Sequence, residues 1–292
     1  MQNEVRPYRS ETDYDAMLRL LERIYALEGP HVPFTVGDLA YWRAQETAPN
    51  PMGATQLWFA AGEPVGFVWP ETGFYDLAVH PRHRSLLPVM LDWADDDQRL
   101  RAATEVRTRA LESDDEFTAL LRGRGFAPAG ETYSWYGVRS LADAPPAPAV
   151  AAGYTIRAAA DADALEALHA TVRAGPPIHS YRALRTSPIY RADLDLAAFA
   201  PDGAPVAFTL VWFDASNRAG LFEPVGCHAD HRRRGLATAL IHQGLRRLRD
   251  LGATHALIGN NEANAGANRL YRSLGFEVRD RNVTWLKTLA SA

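Results

Sequence analysis

Three consecutive arginines stand directly before a glycine in the C-terminal part of the chain. Arg232, Arg233 and Arg234 precede Gly235, and an apolar pattern typical of a helix follows over residues 235–251. The N-terminus of a helix presents unpaired N–H groups and the positive end of the helix dipole, which together bind phosphate. A glycine leaves room for a phosphate beside the backbone, and the arginines add positive charge. The pattern therefore predicts a diphosphate site.

Two common kinds of diphosphate site do not fit this stretch. A P-loop requires a lysine and a Ser or Thr after its last glycine, and a dinucleotide-binding fold requires Gly-x-Gly-x-x-Gly after its first strand. Neither pattern occurs in the sequence. The diphosphate must therefore belong to another class of ligand.

The composition narrows the function classes further. The single cysteine, Cys227, excludes an internal disulfide and a multi-cysteine metal site, and we expect no metal. The net charge of -4 argues against a protein that coats nucleic acid or an anionic membrane. The N-terminus lacks the apolar segment of a secretory signal, and no run approaches the roughly 18 apolar residues of a membrane span. We expect a soluble, cytoplasmic protein.

The elements that must position the arginines occur in two copies. A length of 292 residues fits two domains, and the Pro/Ala-rich segment after Leu141 predicts a semi-stiff linker. The segment HPRHR from His80 lines up with HADHR from His228, and RGRGF ending at Phe126 lines up with RSLGF ending at Phe276. We predict domains at residues 1–141 and 154–292, joined by a linker at 142–153.

Each copy has the pattern of a mixed α/β domain. In the second copy a short strand and a helix precede a hairpin, and a strand leads into the arginine turn. A helix, a strand and a helix ending at Gly275 follow. The pattern then predicts two terminal strands, FEVRD and VTWLKTL.

Two motifs in the second copy resemble those of the GNAT superfamily of N-acyltransferases. Residues 232–237 resemble the acyl-CoA pattern Gln/Arg-x-x-Gly-x-Gly/Ala, and residues 264–276 match Asn-x-x-Ala-x-x-Leu-Tyr-x-x-x-Gly-Phe. The resemblance implies two GNAT-like domains in tandem, similar to the mycothiol-synthase arrangement. The expected fold class is α/β (α+β), in which each domain has a mixed, mostly antiparallel central sheet flanked by helices.

The resemblance also implies the ligand and the residues that bind it. Acetyl-CoA is the expected co-substrate, held partly by the backbone of the strand before the arginine turn. The implied binding residues are Val225, Gly226, Cys227, Arg232, Arg233, Arg234, Gly235, Leu236, Ala237, Asn264 and Tyr271.

Two residues are candidates for proton transfer. Tyr271 is the candidate general acid for the leaving thiolate, and Glu223 is the candidate base for the attacking amine. Each has a structural alternative: Tyr271 as an aromatic that packs the last helix, and Glu223 as a solvated charge or a contact to the acceptor's cation. His228 and a water chain compete for the role of base. Cys227 is more simply a small buried hydrophobe than a nucleophile, and Asn264 could serve only as a helix N-cap.

The first copy departs from the pattern at the positions that would bind the cofactor. Leu87 stands at the position of Gly235, Pro88 follows it, Asp114 replaces Asn264 and Leu121 replaces Tyr271. A leucine side chain and a lost N–H argue against CoA binding in the family's way. We expect this half to be a scaffold or a wall of the acceptor cleft.

These observations predict an N-acetyltransferase whose C-terminal domain transfers acetyl from acetyl-CoA to a primary amine. A non-catalytic CoA-binding or sensor protein is the alternative, and a two-domain adaptor that binds no CoA is a third hypothesis. The acceptor is a small molecule or a peptide amine, and it is expected to enter past residues 174–193. We expect a monomer, because the tandem domains supply the pairing that single domains obtain by dimerising.

Overall fold

The computed structural model describes residues 4–45, 52–159, 161–172 and 181–289, and the description leaves out the side chains of residues 131–135. We call residues 1–141 the N-terminal half and residues 154–292 the C-terminal half. The elements of the N-terminal half are β1 (Glu4–Pro7), α1 (Glu11–Glu28), α2 (Val36–Arg43), β2 (Gln56–Ala60), β3 (Glu63–Glu71), β4 (Phe74–Val79), α3 (Leu87–Leu100), β5 (Glu105–Leu111), α4 (Asp115–Gly123) and β6 (Ala127–Ser140).

The C-terminal half follows the same plan. Its elements are β7 (Thr155–Ala158), α5 (Ala162–Val172), α6 (Tyr181–Leu184), β8 (Asp195–Phe199), β9 (Pro205–Asp214), β10 (Ala219–Cys227), α7 (Leu236–Asp250), β11 (His255–Asn261), α8 (Ala265–Ser273) and β12 (Glu277–Thr288). Residues 141–153, between the halves, form no helix or strand. No helix of the described residues is long and apolar enough to cross a membrane.

The two halves share one mixed sheet of 12 strands, ordered β1-β2-β3-β4-β5-β12-β6-β11-β10-β9-β8-β7. The last strand, β12, lies between β5 and β6 and pairs antiparallel with both. Strand β6 in turn pairs antiparallel with β11. Each half therefore supplies the strand that extends the sheet of the other half, and neither sheet ends at the centre of the molecule.

The prediction of two terminal strands is wrong, because the segment after Gly275 forms the single strand β12. Its pairing with β6 shifts register between Val278 and Asp280 and again between Val283 and Trp285. Such bulges absorb an extra residue without ending the strand. Strand β12 therefore continues through Arg281 and Asn282, which separate the two predicted strands.

Helix α7 packs closely on β10. A Cβ added to Gly244 of α7 would lie 2.6 Å from Cε1 of Phe222 on β10, and one added to Gly220 of β10 would lie 2.3 Å from Cδ1 of Leu248 on α7. Leu245 and Leu248 are fully buried in the same cluster. Burial stabilises each such side chain by about 1.5–3 kcal/mol. The second half of α7 is thus held against β10.

The largest hydrophobic cluster contains residues of both halves. Helix α2 lies against β9 and β10, and a Cβ added to Gly37 of α2 would lie 2.7 Å from Cβ of Trp212 on β9. Trp212 is 1% exposed. The N-terminal half therefore covers part of the sheet of the C-terminal half.

Candidate active site

Strands β10 and β11 run side by side only at their first residues. The parallel pairing extends from Ala219–His255 to Phe222–Ile258. On its other side, β10 shifts register against β9 between Phe222 and Val225. The extra residue of this bulge falls at the Glu223–Pro224 peptide, which is cis. Beyond Phe222 the two strands separate.

A cavity of about 410 Å³ lies where the strands separate, and we call it the C-terminal cleft. It brings together five residues that the sequence predicted: Glu223, Val225, Arg232, Asn264 and Tyr271. The remaining lining residues are Val172, Phe208, Phe222, Pro224, Gly259 and Asn260. The bulge was not predicted, because a run such as LFEPVGC reads as a regular strand.

The arginine turn ends in a left-handed glycine at the start of α7. Gly235 has φ 74° and ψ 7°, and it caps α7 without a side-chain hydrogen bond. A Cβ added to Gly235 would meet no atom within 4 Å, so the positive φ rather than crowding within the chain requires glycine. Arg232, Arg233 and Arg234 are exposed beside it. Three exposed arginines thus stand directly before the start of α7, where no side chain caps the first N–H groups.

The histidines of the turn have a structural role. The Nδ1 of His228 accepts a hydrogen bond from the N–H of Asp230 at 3.4 Å. In the N-terminal half the Nδ1 of His80 accepts one from the N–H of Arg82 at 3.2 Å. Because both copies contain the same capping contact, it belongs to the turn rather than to one site.

Tyr271 lies on α8 and reaches the cleft while packed in the core. It is 6% exposed and lies edge-on to Phe276 at 6.4 Å between ring centroids. Burial, reinforced by the charge of Glu223, raises the pKa of Tyr271 above its usual value. The phenol is therefore protonated at neutral pH, which is the form that a general acid requires. Packing in the core and lining the cleft are compatible for this residue.

Glu223 is half-buried at the bulge of β10. Its backbone carbonyl accepts a hydrogen bond from Nε1 of Trp212 at 2.7 Å. Trp212 lies against helix α2 of the N-terminal half, so this contact links Glu223 to the other half of the molecule. The bulge and this bond hold a carboxylate in the same cleft as Tyr271.

The other predicted binding residues next to the turn are Gly226, Cys227, Leu236 and Ala237, and the first three pack against the core. Gly226 is required by packing, because a Cβ there would lie 2.3 Å from Cζ of Phe208. Cys227 is half-buried against a hydrophobic cluster, and burial raises the pKa of its thiol, which disfavours the nucleophilic thiolate. Leu236 is buried in the same cluster. Ala237, the next residue of α7, is half-buried.

Asn264 is a helix cap that also borders the cleft. Its Oδ1 accepts a hydrogen bond from the N–H of Ala267 at 3.1 Å, which caps α8. Its counterpart Asp114 caps α4 in the same way, through a hydrogen bond from the N–H of Phe117 at 3.0 Å. Capping thus accounts for a polar residue at both positions. The two caps differ in charge, because the amide of Asn264 is neutral and the carboxylate of Asp114 is negative.

Residues 166–276 match the Acetyltransferase (GNAT) family. The matched region lies within the C-terminal half and includes the arginine turn and Tyr271. This match indicates acyl transfer in general. A comparison with curated proteins found no significant match.

Two solved structures resemble the whole chain. A GCN5-related N-acetyltransferase from Sphaerobacter thermophilus is 23% identical, with a TM-score of 0.67 over 99% of this chain and 96% of that chain. A tandem GNAT protein from the clavulanic acid biosynthesis pathway is 22% identical, with a TM-score of 0.72 over 100% of both chains. At these identities the likeness concerns the fold, and the chain has the tandem-GNAT fold that the sequence predicted.

One residue near the cleft of the GNAT domain was missed by the sequence analysis. Tyr136 lies on β6, opposite Gly259 of β11, and a Cβ on Gly259 would lie 3.4 Å from Cε1 of its ring. Its hydroxyl donates a hydrogen bond to the backbone carbonyl of Pro33 at 3.5 Å. Burial raises the pKa of Tyr136, and the charges of Asp38 and Glu223 raise it further. No sequence signal marks Tyr136, because only the pairing of β6 with β11 brings it beside this domain.

The predicted acceptor segment is partly described. Residues 174–180 lie outside the described residues. Farther along, the hydroxyl of Tyr190 donates to Asp195 at 2.8 Å, and the hydroxyl of Tyr181 donates to the same carboxylate. Both tyrosines therefore anchor the segment to β8. No group of His, Cys, Asp and Glu side chains among the described residues could hold a metal ion.

Proposed function

We propose that the chain is an acetyl-CoA-dependent N-acetyltransferase that acts on a primary amine, with catalysis in the C-terminal half. The observation that supports this proposal is the C-terminal cleft, in which Glu223 and Tyr271 line one cavity bordered by Arg232. The uncapped start of α7 suits the pyrophosphate of CoA, because free N–H groups and the helix dipole favour an anion there.

The proposed reaction is direct attack of the amine on the thioester. Glu223 accepts the proton that the acceptor ammonium must lose before its nitrogen can attack. The nitrogen forms a bond to the carbonyl carbon, and backbone groups of residues 225–227 stabilise the negative charge on the carbonyl oxygen. The C–S bond then breaks, and the phenol of Tyr271 donates its proton to the leaving thiolate. The nitrogen loses its second proton to the Tyr271 phenolate, which restores the phenol. The products are the amide and CoA thiol.

Titration of the full chain with acetyl-CoA by calorimetry tests the binding step. We expect one equivalent to bind, and we expect Gly235→Glu to weaken binding about 100-fold or more, because it adds strain and a negative charge at the phosphate site. Gly252→Glu is the matched control, since Gly252 also has a positive φ and open surroundings but lies beyond the other end of α7. Equal loss in both variants, or two bound equivalents, would overturn the assignment of the site.

Release of CoA thiol in the presence of a panel of primary amines tests the catalytic step. Amine-dependent release at a rate above hydrolysis supports the transferase. Binding of acetyl-CoA without release for any amine would instead establish a CoA-binding or sensor protein. If the melting temperature did not change with excess acetyl-CoA, the adaptor hypothesis would stand, because a ligand of the folded state must stabilise it.

A further inference from the structure

The N-terminal half contains a second cavity that the proposed function does not use. This N-terminal cavity has a volume of about 360 Å³ and lies at the ends of β4 and β5, next to the start of α4. Its floor is apolar and buried. The buried lining side chains are Leu21, Ile24, Val32, Phe34, Leu77, Ala78, Leu87, Ala110, Leu111 and Phe117.

The N-terminal cavity corresponds in position to the C-terminal cleft of the other half. In the N-terminal half, however, an ion pair connects strands β4 and β5. Arg109 of β5 donates to Asp76 of β4, with 3.0 Å between Nε and Oδ1. The corresponding positions in the C-terminal half are Pro224 and Gly259, which cannot form such a bridge. The Arg109–Asp76 ion pair therefore borders the N-terminal cavity at the position where the C-terminal cleft has no charged pair.

The rim of the cavity is acidic. The lining contains the carboxylates of Glu28, Asp114, Asp115 and Glu116 and the basic side chains of His31, Arg84 and Arg109, of which Arg109 is paired with Asp76. Arg84 is already paired with two of these, Asp114 at 2.6 Å and Glu116. Among the described residues neither Glu28 nor Asp115 has an ion-pair partner, and both are exposed. A bound polyanion would face uncompensated carboxylates here, whereas a cation would be attracted.

We propose that the N-terminal cavity binds an organic ammonium compound with an apolar body. The buried aliphatic and aromatic floor accommodates the apolar body, since removing apolar surface from water is favourable. The ammonium lies at the rim, where Glu28 and Asp115 supply the negative charge. This assignment rests on the shape, lining and charge of the cavity and is independent of the proposed acetyl transfer.

Binding of three isosteric probes to the full chain tests the proposal. The probes are 4-phenylbutylamine, 4-phenylbutanol and 4-phenylbutanoate, which share an apolar body and differ in charge. We expect the amine to bind at least about tenfold more tightly than the alcohol and the carboxylate not to bind measurably, since each unit charge near two carboxylates changes affinity by about this factor. Calorimetry measures the affinities of the amine and the alcohol, and saturation-transfer NMR detects whether the carboxylate binds.

Variants locate the amine and separate this cavity from the C-terminal cleft. The double change Glu28→Gln with Asp115→Asn alters two exposed side chains, and we expect it to reduce amine affinity about tenfold while alcohol affinity stays unchanged. Asp96→Asn with Glu105→Gln is the control, because neither residue lines the cavity. The same comparison in a Glu223→Gln background, which removes the carboxylate of the C-terminal cleft, is expected to give the same loss.

Three results would overturn the proposal. The first is equal binding of amine and alcohol, and the second is unchanged amine affinity in the Glu28 and Asp115 double variant. The third is acetyl-CoA that still binds to the Gly235→Glu variant and that 4-phenylbutylamine displaces. None of these results depends on whether the C-terminal half transfers acetyl groups, so failure here and failure of the proposed function are distinguishable.

Discussion

The two halves of the molecule have the same fold and the same histidine turn, yet their clefts have opposite character. At the start of the helix after this turn, the C-terminal half has a left-handed Gly235, whereas Leu87 of the N-terminal half is helical at φ -50° and buried. One helix start therefore exposes its N–H groups beside a cleft. The other follows a 3₁₀ turn without a break, and Pro88 in its first turn has no N–H.

The same contrast occurs at the last helix of each half. Helix α8 begins with Ala265 and Gly266 after its cap Asn264, whereas α4 begins with Asp115 and Glu116 after its cap Asp114. The capping bond is kept in both halves, and only the charge differs. A few surface side chains thus change the charge at this helix start without changing the fold, because the fold does not depend on them.

The largest effect expected from the comparison is at Tyr271. We expect Tyr271→Phe to lower kcat about 10²–10⁴-fold, the range for loss of a general acid, with acetyl-CoA affinity nearly unchanged. Leu121→Met changes the counterpart in the N-terminal half and is expected to leave kcat unaltered. Steady-state kinetics measure both. A Tyr271→Phe enzyme of normal kcat would leave Tyr271 with a packing role alone.

The charge contrast can be transferred from one half to the other. We expect Ala265→Asp with Gly266→Glu to weaken acetyl-CoA binding about 30-fold at low salt, because two carboxylates then lie near the phosphates. The loss is expected to shrink at high ionic strength. Both positions are exposed at a helix start, where acidic residues favour the helix, so folding is not at risk.

The reverse change is the control for this transfer. Asp115→Ala with Glu116→Gly in the N-terminal half is expected to leave acetyl-CoA binding at one equivalent. Calorimetry with both variants separates the two cases. A second equivalent in the reverse variant would mean that charge alone closes the N-terminal cavity to CoA.

Tyr136 tests whether the N-terminal half takes part in the reaction of the other half. We expect Tyr136→Phe to lower kcat/KM for the amine about tenfold, since the hydroxyl on which the charges of Asp38 and Glu223 act is lost, and to leave acetyl-CoA affinity unchanged. The ring against Gly259 is retained, so the loss reports the hydroxyl. Tyr8→Phe, another buried tyrosine of the N-terminal half, is the control. Equal kinetics for the two variants would restrict the N-terminal half to a scaffold.

The smallest effect concerns stability and pH. His169 on α5 is buried and stacked on Phe208 at 3.6 Å, and neither ring nitrogen has a hydrogen-bond partner. Burial lowers its pKa to about 3. Because the folded pKa is depressed, its contribution to stability is complete above the unfolded value near 6.5 and is lost as the pH falls towards 3. At pH 6 the loss is about 1 kcal/mol relative to pH 8.

We expect His169→Leu to remove this part of the pH dependence. The counterpart helix α1 buries leucines, among them Leu18, Leu20 and Leu21, so an aliphatic side chain suits the position. Urea unfolding at pH 6 and pH 8 measures the free energy of unfolding for both proteins. An unchanged pH dependence would show that His169 is not its source.

The motifs and their elements were predictable from short-range pattern. The histidine turn, the glycine at 235 and the Asn264 cap each follow from local backbone requirements, which a few neighbouring residues set. The cleft was less predictable, because it depends on the bulge at Glu223 and Pro224 and on where β10 leaves β11. The role of Asp76 and Arg109 was not predictable, since the residues that form this ion pair are 33 positions apart.

The sequence by itself determined that two copies of one α/β plan follow each other and that only the second keeps the cofactor motifs, because repeats, glycines and caps are local features. The tertiary structure alone decided that β12 lies between β5 and β6, that β6 pairs with β11, and that Tyr136 and α2 therefore belong to the surroundings of the C-terminal cleft. Strand neighbours are set by packing and hydrogen bonding between distant segments, and the alternation of side chains along a strand carries no record of which strand lies beside it.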